Sequence, residues 1–170
     1  MMPFRNLLNT IVITGVVACN LATAQTQPPP GNSERGGTLF AGKAACTTCH
    51  RVKEQGSRLG LDLTRIGDSR QPAELRQAIL DPPSQLQPQN RMYRVVTKDG
   101  ATITGKLLNQ GTASLQMLDT NERLVSFQKS GLREHNFIDS PPMPSFRSTL
   151  SAAEVEDLVA FLSQLKGVSQ

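Results

Sequence analysis

Cys46, Thr47, Thr48, Cys49 and His50 set two thiols and an imidazole within five consecutive residues. C-x-x-C-H is the attachment sequence of a c-type haem. The thiols of Cys46 and Cys49 add across the two vinyl groups as permanent thioethers, and His50 falls under the iron as the proximal ligand. A chain built on this string must fold around a flat, rigid, covalently held macrocycle. Two other chemistries use similar residues. A zinc site of this kind wants four ligands at matched spacing, and the sequence has no second cysteine pair. A redox Cys-x-x-Cys wants a surrounding βαβ pattern, which the sequence lacks.

Residues 1–24 read as a secretory signal. Arg5 is the only charge before Glu34, and Leu7 to Val17 is an apolar run too short to span a bilayer comfortably. Ala22-Thr23-Ala24 then offers a small-x-small cleavage site. Val16-Val17-Ala18-Cys19 competes with it as a lipoprotein box, in which Cys19 would be lipidated and hold the product on a membrane. The expected location is the bacterial periplasm, either soluble or anchored through Cys19. Cleavage after Ala24 leaves only Cys46 and Cys49, so no cysteine remains for a disulfide, and the covalent haem takes over that stapling role.

Gln25 to Ser33 includes Pro28-Pro29-Pro30-Gly31 and reads as an extended linker (25–33) before a domain over 34–166. The mature chain of about 145 residues suits one domain with a large insert. Aromatic residues make up 4% and Trp is absent, a thin core that one buried porphyrin would complete. The formal charge of +4 is mild, which argues against nucleic-acid binding. Lys43, Arg51, Lys53, Arg58, Arg65, Arg70 and Arg76 cluster around and after the haem string, with Glu54, Asp62, Asp68 and Glu74 among them. This is either a solvated mixed surface or a positive rim that steers an acidic redox partner.

Local patterns predict a helix from about Glu34 to Lys43, with Gly36 and Phe40 on one face. A second helix spans residues 71–80, started by Pro72 and stopped by Asp81-Pro82-Pro83. The period then changes to two. Residues 92–98 alternate, Asp99-Gly100 marks a hairpin, and extended runs follow at 102–108, 114–118 and 124–128. These predict an inserted antiparallel meander over about 91–129. Ser151-Ala152-Ala153-Glu154 is a capping box before the clearest helix, whose apolar stripe includes Val155, Leu158, Leu162 and Phe161.

An electron carrier holds its iron from both sides. Met143, in Pro141-Pro142-Met143-Pro144, is the expected distal ligand, because prolines stiffen the loop that presents it. Met92 and Met117 fall in expected strands, where a lone Met is more often core packing. His135, the only other histidine, lies in the polar stretch Arg133-Glu134-His135-Asn136 and reads as an exposed loop residue.

In this order of elements the chain resembles the class I monohaem cytochromes c. The resemblance implies a mainly α fold, a class I cytochrome c helical arrangement around one covalent haem c, with the small β meander inserted. Gly36, Phe40 and Phe161 match the family's contact between first and last helices. Gly60-Leu61-Asp62-Leu63 resembles its Gly-Pro-x-Leu turn, whose proline carbonyl accepts the proximal histidine's ring N–H; here Leu61 stands for the proline. The long gap from His50 to Met143, with Ile79-Leu80-Asp81-Pro82, Tyr93, Asp99-Gly100, Gly105 and Pro142-Met143-Pro144, is similar to the haem-binding domain of planctomycete-type proteins (the Pirellula/Verrucomicrobium subtype).

The expected function is therefore electron transfer and not enzyme catalysis. The expected carrier is exported and monohaem, with its iron between His50 and Met143. The resemblance implies as partners a periplasmic dehydrogenase, including quinoprotein types, and a downstream oxidase or carrier. The alternative is a haem enzyme or gas sensor whose distal ligand is displaceable.

Overall fold

The computed structural model describes residues 30–83, 87, 90–139 and 143–167. The expected signal at 1–24, the alternative lipidation site at Cys19, residues 25–29 of the linker, and Pro141 and Pro142 lie outside the described residues. No described helix is long and apolar enough to cross a membrane.

The helical part is built from short, well-capped segments. Helix α1 (Ser33–Ala41) begins where the Asn32 side chain accepts the Arg35 N–H at 2.8 Å. A single turn, α2 (Ile66–Ser69), leads to α3 (Pro72–Leu80). There Pro72 occupies the first turn and the Gln71 N–H donates to Glu74 at 2.8 Å. Helix α4 (Ala152–Gln164) carries the expected capping box: the Ser151 N–H donates to Glu154 at 2.8 Å and the Glu154 N–H donates back to the Ser151 hydroxyl.

Helices α1 and α4 cross closely at Gly36, where a Cβ would stand 1.9 Å from the Asp157 carbonyl oxygen. One turn further on, the Phe40 and Phe161 rings meet with centroids 5.4 Å apart. The crossing also holds a buried charge. Asp157 accepts the Asn32 N–H at 2.6 Å and two N–H groups of Arg35 at 2.8 Å. Arg35 and then the Asn32 N–H keep its carboxyl below the usual carboxylate range. Phe40, Leu63, Ile66, Leu75, Ile79 and Leu158 belong to the core that these helices share.

The β part has two pieces. A short hairpin, β1 (Arg51–Val52) and β2 (Gln55–Gly56), follows the haem string directly. The larger piece comprises β3 (Met92–Thr97), β4 (Thr102–Gln110), β5 (Ser114–Asp119), β6 (Leu124–Gln128) and β7 (Leu132–Phe137). All its pairings are antiparallel, in the order β6-β5-β4-β3-β7. Strand β7 follows β6 after one 3-10 turn, Lys129–Gly131, yet lies on the opposite edge. In a flat sheet those edges would be about 19 Å apart. The steps from Gln128 to Leu132 reach at most about 14 Å. The sheet must therefore curl, and the curl encloses Tyr93, Val95, Leu115 and Met117 as a second core.

This overturns the expectation of a mainly α fold. Helix and strand take comparable shares of the described residues, and the five-stranded antiparallel sheet is a structural equal of the helices. The physical reason is that residues 92–137 bury a core of their own, and enclosing it needs a fifth strand. That strand covers residues past the expected limit at 129, including His135, which was expected in a loop.

Candidate haem site

After α1 the chain reverses at Ala45, which takes the left-handed conformation (φ 48), and Cys46–Thr48 forms a 3-10 turn. The Cys49 and His50 N–H groups both donate to the Cys46 carbonyl, at 3.2 and 2.8 Å. Cys46 is consequently half-buried against the helical core, and Cys49 is exposed. Both thiols are free. Burial pushes the Cys46 thiol up to about 11. That is the opposite of the lowered thiol on which a redox Cys-x-x-Cys depends. Among the described residues, no three His, Cys, Asp or Glu side chains converge to hold a metal ion, so the zinc reading finds no ligand set.

His50 stands beside these thiols with its ring already oriented. Nδ1 lies 2.8 Å from the Leu61 carbonyl oxygen. A carbonyl can only accept, so the ring proton resides on Nδ1 and the Nε2 lone pair is free. The turn bearing Leu61 closes against the ring. Gly60 donates its N–H to the Cys49 carbonyl at 2.7 Å, and a Cβ on Gly60 would stand 3.0 Å from Nδ1 and 3.1 Å from Cε1. Leucine in place of the family's proline thus leaves the carbonyl contact intact. An open depression of about 740 Å³ borders the same turn, sharing Leu61 and lined further by Arg51, Asp62, Thr64 and Ile66.

The structure brings Cys46, Cys49 and His50 together on one turn and holds Met143 on a separate loop. Met143 is half-buried. The chain just after it is pinned to the end of α3: the Ser145 hydroxyl donates to the Leu80 carbonyl, and the Phe146 N–H donates to the Ile79 carbonyl at 3.1 Å. Phe146 then packs on the helical core. Two competing residues are engaged in the sheet. Met117 is fully buried in its core, and His135 Nδ1 is hydrogen-bonded to the Tyr93 hydroxyl at 2.9 Å.

The cluster of basic residues is largely neutralised. Lys43 pairs with Glu154, Arg51 with Glu54, Arg58 with Glu122, Arg65 with Asp68, Arg70 with Glu74, and Arg76 with Glu156. This favours a mixed, solvated surface over a positive rim. Of the three long-range pairs, Arg58 with Glu122 borders the turn that holds Leu61. Glu122 accepts the Arg58 N–H at 3.2 Å and Arg58 Nε at 3.3 Å, and Lys106 Nζ donates to the Arg58 carbonyl at 3.3 Å. Separations of 64 and 48 residues leave no local signal for either contact.

Two thiols and an imidazole with a free Nε2, on one turn beside an apolar core, are a donor set that fits haem c. The family model described as Cytochrome c matches residues 33–166. The chain belongs to the cytochrome c family. This cytochrome c is a haem-based electron carrier that binds haem c and, through it, iron. No match was found among the curated proteins.

Proposed function

We propose that this cytochrome c is an exported monohaem protein that carries single electrons between redox partners. Haem c supplies one-electron Fe(III)/Fe(II) exchange when bound. Cys46 and Cys49 hold it as thioethers, and His50 Nε2 serves as the proximal donor. The observation that carries this reading is the 2.8 Å contact of His50 Nδ1 with the Leu61 carbonyl, made beside two free thiols on the same turn. Such a bond fixes the ring and raises the basicity of the free nitrogen.

Met143 is the distal donor in this reading. Its proline neighbours and the pinning of Ser145 and Phe146 to α3 support a stiff loop, which keeps a weak thioether bond from exchanging with water. With His50 and Met143 both donating to the iron, bound haem would exchange electrons and would offer no open position to a substrate. Exchange takes place at the Cys49 side, where the thiol is exposed and Leu61, 44% exposed, offers apolar surface to a partner.

The electron donor in this proposal is a periplasmic dehydrogenase, the quinoprotein types included, and the acceptor is a downstream oxidase or carrier. The resemblance to the planctomycete-type domain supports that pairing, and the signal-like residues 1–24 support export.

The test is spectroscopic. A pyridine haemochrome spectrum of a c-type haem, with an Fe–S charge-transfer band that Met143→Ala abolishes, is the expected result. Wild-type protein that lacks the band and binds carbon monoxide rapidly would instead be a haem enzyme or gas sensor with a displaceable distal ligand. The mass of the periplasmic product separates cleavage after Ala24 from lipidation at Cys19.

A further inference from the structure

The sheet reaches back to the turn that orients His50, and it does so through a backbone-strained residue. Glu122 has φ 59, in the left-handed region that residues with a Cβ seldom adopt. Its turn, between β5 and β6, is held tightly. The buried Asp119 carboxylate accepts the Asn121 N–H at 3.0 Å, the Arg123 N–H at 2.8 Å and Arg123 Nε at 2.8 Å. The Glu122 N–H donates to the Asp119 carbonyl at 2.9 Å. Asn121, whose side chain tolerates this conformation better, is adjacent, yet the glutamate occupies the strained position. Strain sustained by the surrounding structure points to a task for the side chain.

That side chain grips Arg58 by its main-chain N–H and by Nε. Hydrogen bonding from the Ser57 side chain, and then from Arg58, holds the Glu122 carboxyl below the usual carboxylate range. Lys106 of β4 takes hold of the Arg58 carbonyl. Residue 58 is thus tied to the sheet by its N–H, its carbonyl and its side chain. Three residues later, the Leu61 carbonyl accepts the His50 ring proton. The opposite side of this turn is tied to the haem string, through the Ser57 N–H to the Thr47 carbonyl at 3.0 Å and the Gly60 N–H to the Cys49 carbonyl at 2.7 Å.

We infer that Glu122, with Arg58 and Lys106, is a positioning device for His50, by which the sheet sets the place of the Leu61 carbonyl and so its pull on the ring proton. The inference rests on the reading of His50 as the proximal ligand. A stronger pull on Nδ1–H makes the ring a better donor, favours the oxidised iron and lowers the midpoint potential. A looser clamp raises it.

The test uses haem-loaded protein and two readouts: potentiometric titration, and exchange of the His50 Nδ1 proton followed by NMR in the reduced state. Glu122→Gly suits the positive φ, so the turn keeps its shape while the carboxylate is lost. The expected result is a higher potential and faster proton exchange, with thermal stability held. Glu122→Gln keeps the acceptor oxygen and removes the charge, and is expected to stay close to wild type. Arg58→Ala is expected to shift both readouts in the same direction, and its effect to vanish in the Glu122→Gly background. If Glu122→Gly does not load haem, Arg58→Ala decides by the same two measurements.

A Glu122→Gln shift as large as that of Glu122→Gly assigns the effect to charge alone and overturns the inference. Haem-loaded Glu122→Gly with wild-type potential and exchange overturns it as well, and leaves the electron-carrier reading standing. Wild-type protein with no haemochrome spectrum overturns both.

Discussion

His50 Nδ1 donates its proton to the Leu61 carbonyl at 2.8 Å, across a turn whose next residue back, Gly60, lies against the same ring. Among the described residues the Leu61 N–H makes no backbone hydrogen bond, so proline can replace leucine without losing one. Leu61→Pro is expected to keep the His50 contact and to stabilise the protein by about 0.4–1 kcal/mol through the unfolded chain, measured by denaturant titration. Gly60→Ala does the reverse. A methyl 2.9 Å from the Cys49 carbonyl oxygen and 3.0 Å from Nδ1 forces the turn and the ring apart, with lower haem incorporation and a loss of about 1–3 kcal/mol.

The helix crossing gives a contrast between adjacent glycines. A Cβ at Gly36 would overlap the Asp157 carbonyl at 1.9 Å, whereas one at Gly37 would meet the Phe161 ring at 3.3 Å. Backbone cannot retreat as a ring edge can. Gly36→Ala is expected to lower stability by about 1–3 kcal/mol or more, while Gly37→Ala falls near neutral, because its tight contact is offset by better helix propensity. Thermal melts of the two variants check this.

Acid stability carries a defined sign. The Lys43 ammonium, then the Ser151 N–H and hydroxyl, push the Glu154 carboxyl from its ordinary 4.5 to about 2. With the folded value depressed, the unfolded chain takes up the proton first as pH falls. The contribution is therefore complete above 4.5 and disappears as pH falls towards 2. Glu154→Gln keeps the capping geometry and removes the charge. It is expected to be less stable than wild type at neutral pH, with a shallower loss of melting temperature across that acid window.

The core of the sheet offers a fourth check. Met117 is 0% exposed and Leu124, on the neighbouring strand, is 66% exposed. Met117→Ala is expected to cost about 2–5 kcal/mol, and Leu124→Ala to stay within about 0.5 kcal/mol, by denaturant unfolding followed in the far ultraviolet.

What could be read in the sequence depended on range. The Cys46–His50 string, the Ser151 and Glu154 capping box, Pro72 at the start of α3 and the alternation of β3 are set by neighbours a few residues away. Each of these was legible. Strand β7 was not, because it is an edge strand: Arg133, Glu134, His135 and Asn136 are all exposed in succession, so its sequence has no buried alternation. The hairpin β1–β2 was missed because two residues per strand leave no period to detect.

The amino-acid order by itself determined the Cys46–His50 string and most helix and strand limits, since these rest on covalent spacing and local hydrogen bonds. Only the tertiary structure decided that the inserted strands curl into a second core and that the basic residues find distant carboxylate partners. Contacts such as Lys43 with Glu154, 111 residues apart, and Arg58 with Glu122, 64 apart, exist only where tertiary packing brings the partners together. Their geometry follows from packing, to which local sequence pattern is blind.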